Sequence, residues 1–399
     1  MSERLAQPPT ELVPLSDEQR DVIDLCRRFA ADVLRPHARA VDEEDNAHPG
    51  ADTSWQVWRA ATESGIAAFM LPREYGGGGV TDVFTQCLAV EELAVGDLGL
   101  ANLVTSNGFF ADPVLELGTP EQCRRWLEPL GAPDAPQTAV AVTEPGVGSD
   151  AASLTTRADR IPGGYRLTGQ KAWISNGGVA RTYVVFATVE PGTRSRGITA
   201  FVLDRDAPGL SFGPPMKKMG QRAIVNTEVF LDGVEVAEDD RLGGEGQGFR
   251  GLMRTFDISR TVLGAAAVGC ARAAYETAAE YARQRTQFGA PIVEHQAVGF
   301  RLADMLTRID AARLLVWRAA RRLDSGADAT VASAQAKLAA SEAAVLCTWA
   351  AVQTLGGWGY SREFLVEKWM RDAKLEEIEE GTSDIQRLVV ARAIARDGA

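Results

Sequence analysis

Residues able to do proton chemistry concentrate near the end of the chain, in KLEEIEEGTSDIQR (374–387). Four of the five residues from Glu376 to Glu380 are glutamates, and Gly381 follows. The preceding pattern reads as a helix, so these carboxylates meet the negative end of its macrodipole, which costs about 0.3–1 kcal/mol per exposed anion. Glu376 and Glu380 also repel across one turn. Either this is a solvated acidic helix end, or one glutamate is placed there to move a proton.

Other candidates lie far away in sequence. TEPGVGSDA (143–151) matches the GxGxxG/A dinucleotide pattern and follows a strand-like run. A Rossmann turn must open a helix, however. Here the chain continues as SLTTRADRIPGGYRLTG, which reads as strand and turn, so the tract is a glycine-rich loop between strands. GQKAWISNGG (169–178) sets Trp173 and Ser175 at i, i+2 on one strand face. An indole there can pack on a flat ring while the hydroxyl donates to its edge. RTQFG (285–289) ends a long helix with a cation and an aromatic, and QTLGGWGY (353–360) has paired glycines that permit close backbone approach. Taken singly, each has an ordinary explanation: a core tryptophan, a helix terminus, a tight turn.

Composition excludes several classes. The net charge of -12 with no Lys/Arg-rich run argues against nucleic-acid binding. The five cysteines are scattered and form no CxxC pair, which speaks against a disulfide framework or a zinc site and suits a reducing cytoplasm. The three histidines, His37, His48 and His295, have no metal-ligand spacing. The N-terminus reads as a short polar arm rather than a targeting peptide. No window offers about 18 uninterrupted apolar residues, so no membrane span is expected.

The elements that must carry these residues follow from periodicity. From Ser16 to about Leu130 the pattern is helical, with segments over 55–65, 83–95 and 119–127. YGGGGV (75–80) reads as a flexible loop. Near Thr138 the texture changes to short β-branched runs with turn signals, and Asp232-Gly233 reads as a turn. Strands without intervening helices predict a small antiparallel barrel or sandwich. Alanine-rich helices follow over 258–284, 296–323, 330–355, 362–380 and 385–396. The fold class is therefore α+β, with an all-α unit (1–134), a central β unit (135–243) and a C-terminal helical bundle (244–399).

Taken together, these segments resemble the acyl-CoA dehydrogenase family along essentially the whole chain, and the motif pattern is closest to the short/medium-chain type. AVTEPGVGSD, GQKAWISNGG, MGQRAIVNTEVFLDGVEV, GEGQGF, RTQFGAPIVEHQ, QTLGGWGY, EKWMRDAK and EEGTSDIQR occur in the family's order. The resemblance implies a helical domain, a β-barrel domain and a four-helix bundle, with FAD bound between the last two. It implies that Val142, Thr143, Ser149, Trp173 and Ser175 surround the isoalloxazine and ribityl chain. By the same resemblance Arg285, Gln287, Phe288, Gln296, Gln353, Gly356 and Gly357 hold the pyrophosphate and adenosine of the neighbouring subunit's FAD. That implies an obligate dimer, usually doubled to a homotetramer. Thr382 matches a residue near the FAD phosphates, and Asp384 replaces a longer Gln or Glu at a flavin-facing position. Ser149, Asp257, Arg260, Gly381 and Arg392 match positions along the thioester path.

The implied reaction is α,β-dehydrogenation of an acyl-CoA to the trans-2-enoyl-CoA, as in fatty-acid β-oxidation. Flavin N5 takes the β-hydride, and electrons pass to an electron-transfer flavoprotein. Glu380 matches the catalytic base, which burial beside an acyl chain would make more basic. The alternative base position of some relatives holds Ser259, which cannot act unaided. Glu379 stands where many relatives have an aromatic residue near the acyl pocket. It either turns to solvent, raises the base's pKa, or marks a polar or short acyl group. Glu376 and Glu377 read as a solvated face. Alternatives on the same fold are a dehydrogenase of carrier-protein-bound acyl groups, a flavin oxidase or monooxygenase, and a non-enzymatic nucleic-acid binder, which the acidic charge opposes.

Overall fold

The computed structural model describes residues 7, 13–44 and 52–397. His48 and most of the N-terminal arm lie outside them. Helix α1 (Asp17–Phe29) starts at a reciprocal capping box between Ser16 and Gln19. It runs on through a π-helical turn, Ala30–Leu34, into α2 (Arg35–Glu44). Asp52, Asp82 and Asp97 cap α3 (Thr53–Glu63), α4 (Val83–Gly96) and α5 (Leu98–Val104) by accepting from backbone N–H groups. Helices α6 (Ser106–Leu117) and α7 (Pro120–Leu127) complete the region. The sequence reading missed α5, whose nearly uniform apolarity leaves little 3.6-residue contrast, and α6, which carries Pro113 within it. The 75–80 tract also differs from expectation. Gly78 and Gly79 donate to the carbonyls of Ala68 and Leu71 at 3.0 and 2.9 Å, which ties the supposed flexible loop down.

The strands β1 (Thr138–Ala141), β2 (Arg157–Ile161), β3 (Gly164–Ser175), β4 (Thr182–Thr188), β5 (Ile198–Asp204), β6 (Leu210–Phe212), β7 (Asn226–Ala237) and β8 (Arg241–Leu242) form one sheet, in the order β6-β7-β3-β2-β4-β5-β8, with β1 joined to β4. Most pairs are antiparallel, but β1 (Thr138–Ala141) runs parallel to β4 (Thr182–Thr188), making the sheet mixed. Strand β7 (Asn226–Ala237) passes without interruption through the expected Asp232-Gly233 turn. Its register against β3 (Gly164–Ser175) shifts there, and Gly233 takes φ 68°, so the glycine makes a bulge rather than a turn.

The C-terminal region is built on α8 (Gly248–Gln284), α9 (Gln296–Asp324) and α10 (Thr330–Leu355). Helix α8 starts ten residues before its predicted origin. Small alanines on α8 and α10, such as Ala266, Ala274, Ala336 and Ala340, are fully buried and let the helices pack closely. Among the described residues α10 is the one helix long and apolar enough to cross a membrane, with a mean hydropathy of 1.3. In the fold it packs against α8, α9, α12 (Val366–Glu376) and α13 (Ser383–Asp397). The four-residue α11 (Gly357–Tyr360) lies between α10 and α12.

Buried charges join the N-terminal helices to the bundle. Lys368 on α12 donates at 2.6 Å to both Asp97 and Asp372, and all three are sealed from water. Arg313 forks onto Glu91, while Arg272 reaches Glu92 at 2.9 Å. Such pairs contribute little net stability but are costly to break from one side. Lys368→Met leaves two buried carboxylates without a cation and is expected to cost about 3–5 kcal/mol. Chemical denaturation of the variant beside the native chain measures the loss.

Candidate active site

The turn after α12 organises the site. The helix ends at Glu376, four residues before its predicted end, so Glu380 projects from a turn and not from a helical face. Glu380 itself is left-handed, φ 49°, and Gly381 follows at φ 95°. A non-glycine residue held there stores about 1–3 kcal/mol of strain, so the neighbours must fix it. Lys337 Nζ, buried on α10, donates to the Gly381 carbonyl at 2.8 Å. Gln386 Nε2 on α13 donates to the carbonyls of Gly381 (2.9 Å) and Glu380 (3.2 Å). A Cβ on Gly381 would meet Gln386 Nε2 at 2.8 Å, so this clamp requires glycine.

On the side-chain side, the Ser259 hydroxyl donates to Glu380 Oε2. Desolvation pushes the Glu380 carboxyl up to about 7, against the opposing pull of Ser259 and the Arg260 charge. Ser259 is thus the hydrogen-bond donor to Glu380. The sequence reading weighed it as a rival base and set it aside. Lys337 and Gln386 were missed. A lone lysine in AQAKLAAS and a glutamine six residues past the base were the available signals.

The remaining glutamates do not form the expected solvated face. Glu376 is 1% exposed and accepts from Gln221 Nε2 at 2.8 Å and Asn102 Nδ2 at 3.3 Å. Glu379 turns inward beside Glu376. Desolvation and the Glu376 charge hold Glu379's pKa well above the carboxylate range. Glu377 stays at the rim, paired with Lys374 at 2.5 Å. Burial of Glu379 beside Glu376 raises its proton affinity, which eases the helix-end repulsion.

The other predicted residues fall into separate groups. Arg260 and Asp257 sit one turn apart on α8, 3.4 Å from each other, beside Ser259, and Asp257 accepts from Thr330 at 2.8 Å. Thr382 caps α13 by accepting from Ile385 N–H at 3.3 Å, and the Ser383 hydroxyl next to it is buried with no partner. Asp384 and Arg392 are exposed on α13.

On the sheet, Trp173 and Ser175 share an exposed face, as expected. Trp173 sits at a register shift with φ 61° and its indole 60% exposed. Val142 and Thr143 lie beside them: Lys171 Nζ donates to the Val142 carbonyl at 3.0 Å, and Ala172 N–H to that of Thr143 at 2.9 Å. Ser149 is exposed on the following loop. Hydrogen bonds link this platform to α12. Asn226 bonds both Trp173 O and Ser175 Oγ at 3.2 Å, and Lys218 bonds Asn226 and the Gln221 carbonyl. Gln221 in turn holds Glu376.

Arg285, Gln287, Phe288 and Gln296 lie at the opposite end of the bundle. Arg285 stands 26 residues beyond Ser259, about 39 Å along a helix axis at 1.5 Å per residue. Gln353, Gly356 and Gly357 join them at that end, where Arg301 reaches Thr354 at 3.4 Å. Phe288 there is 97% exposed. The two groups of residues therefore lie at opposite ends of α8 and do not meet within one chain.

Profiles of the acyl-CoA dehydrogenase N-terminal, middle and C-terminal domains match residues 16–133, 139–234 and 246–395. The chain belongs to the acyl-CoA dehydrogenase family. It is 38% identical over 380 residues to the mitochondrial short-chain specific acyl-CoA dehydrogenase of Bos taurus, covering 95% of this chain and 90% of that one. Butyryl-CoA dehydrogenase of Megasphaera elsdenii superposes with a TM-score of 0.90 at 37% identity, over 96% of this chain and 99% of the other. The prolyl acyl carrier protein oxidase AnaB does so at 0.89 and 31% identity, over 95% and 99%. The chain is an FAD-dependent oxidoreductase, and the site fits that cofactor. An exposed indole and hydroxyl on one strand face offer a surface for a flat ring, and the α13 N-terminus with the unpartnered Ser383 hydroxyl suits phosphate.

The Ser259 hydrogen bond favours the ionised form of Glu380. Ser259→Ala is therefore expected to move the acid limb of the rate profile above 7, by about one pH unit. Turnover falls near pH 6–7 and recovers at higher pH. A pH profile of kcat/KM for both proteins checks this.

Proposed function

We propose that this protein removes the α-proton of an acyl thioester with Glu380 while the β-hydrogen leaves as hydride, giving the trans-2-enoyl product. The observation that carries the reading is the Glu380 carboxyl, desolvated to a pKa of about 7 and held by Ser259 in a strained turn. A base titrating near the working pH combines an ionised population with proton affinity. Bound FAD supplies the acceptor for the hydride.

The Glu380 N–H meets no acceptor among the described residues and is free to donate to the thioester carbonyl as enolate charge develops. Arg260 and Asp257 line the approach from α8, and exposed Arg392 and Ser149 are assigned to the carrier portion of the thioester. Trp173 and Ser175, with Val142 and Thr143, are assigned to the isoalloxazine; Thr382 and Asp384 flank its phosphate chain. The distant set, Arg285, Gln287, Phe288, Gln296, Gln353, Gly356 and Gly357, is assigned to the neighbouring subunit's FAD. The 39 Å span and exposed Phe288 support that assignment, and with it a homotetramer assembled from dimers. An electron-transfer flavoprotein is the proposed acceptor, as the family resemblance implies. The five cysteines, all free and buried, support a cytoplasmic location.

Similarity to a prolyl acyl carrier protein oxidase favours a second reading, a carrier-protein-bound acyl substrate. Offering one acyl group on CoA and on a carrier protein separates the two. Glu380→Gln is expected to keep its yellow flavin and lose about 10³-fold or more in kcat. Turnover above a tenth of the native rate rejects Glu380 as the base.

A further inference from the structure

A narrow cavity adjoins the base, walled by Met70, Phe109, Leu115, Val262 and Ser259, the residue bonded to Glu380. Asp112 on α6 is the one ionisable side chain in its lining. Elsewhere the fold partners its buried acids: Asp97 and Asp372 share Lys368, Glu91 holds Arg313, and Glu144 holds Lys171 at 2.9 Å. Asp112 has no hydrogen-bond or ion-pair partner among the described residues. Asp112 is half-buried and its oxygens are open to water, so a ligand that displaces that water must replace its hydrogen bonds.

We propose that the acyl group taken by this site is short and carries a hydrogen-bond donor, a hydroxyl or an ammonium, which Asp112 receives. Asp112 lines the same cavity as Ser259, which bonds Glu380, so the donor sits only a few carbons beyond the reacting α-carbon. Desolvation in the cavity wall pushes the Asp112 carboxyl up to about 8, so it can accept from a neutral hydroxyl or ionise against an ammonium. An acyl carboxylate is disfavoured: the cavity wall holds no cation, Lys337 is committed to the Gly381 carbonyl, and Arg260 faces Asp257.

The inference rests on Glu380 acting as base on a thioester, and the test separates the two claims. Flavin-bleaching rates of the holoenzyme are compared for butyryl-, 4-hydroxybutyryl-, 3-aminopropionyl- and succinyl-CoA. Either donor-bearing thioester is expected to exceed butyryl-CoA in kcat/KM by ten-fold or more, with succinyl-CoA below it. Asp112→Leu should cut that ratio at least ten-fold. The near-isosteric Asp112→Asn should keep a hydroxyl preference and lose an ammonium preference, which identifies the donor. Bleaching by butyryl-CoA with no preference for a donor, or a preference unchanged in both variants, overturns this inference alone. Bleaching by no thioester overturns the parent reading and this one with it.

Discussion

Desolvation of the carboxyls that follow α12 is the constraint to which the surrounding chain answers. Glu376, Glu379 and Glu380 crowd within five residues, and three buried anions there would repel strongly. The fold meets this in two ways. Glu376 accepts from Gln221 and Asn102 with Glu379 turned in beside it, whereas Glu380 is turned out of the helix towards Ser259 and Arg260. The left-handed turn that separates them depends on Lys337 and Gln386 holding two carbonyls. Three regions meet here: Asn102 comes from the N-terminal helices, Gln221 from the strand region, and Lys337 and Gln386 from the bundle.

This convergence explains why an acidic run is stable where macrodipole reasoning finds it unfavourable. It also explains how one carboxyl gains basicity without losing its charge. Burial raises the proton affinity of Glu380, and the Ser259 hydroxyl and Arg260 charge limit the rise to the neutral range. At the other end of the bundle the chain presents an almost bare Phe288, glycines and an arginine, far from Glu380.

Much of the fold was legible from periodicity. The α10 limits were read to the residue, because alanine and leucine there keep a long uninterrupted pattern ended by paired glycines. The strand–turn reading after 151 agrees with the structure, since only a three-residue 3-10 turn, Ala151–Ser153, stands between the glycine loop and the strand Arg157–Ile161. Helix α5 was not legible, being apolar nearly all round, nor α6, which Pro113 interrupts as a pattern, nor the Gly233 bulge, since Asp-Gly signals a turn equally well. At the site, residue type and family order pointed to Glu380. The burial of Glu376 and the inward turn of Glu379 depend on Asn102 and Gln221, residues 119 positions apart. No local pattern announces such a pairing. Ser259 shows the same limit: its type excluded it as a base, and only its contact reveals it as the group that tunes one.

The central claim is that a carboxyl at the end of α12 exchanges protons with the α-carbon of a bound thioester. Deuterium washout tests it without requiring hydride transfer. The holoenzyme is incubated in D₂O with phenylacetyl-CoA, which has no β-hydrogen, and α-exchange is followed by proton NMR across pH 5–9. The account predicts exchange that rises with pH through about 7, following ionisation of Glu380. Exchange that is absent, or flat across that range, would contradict it.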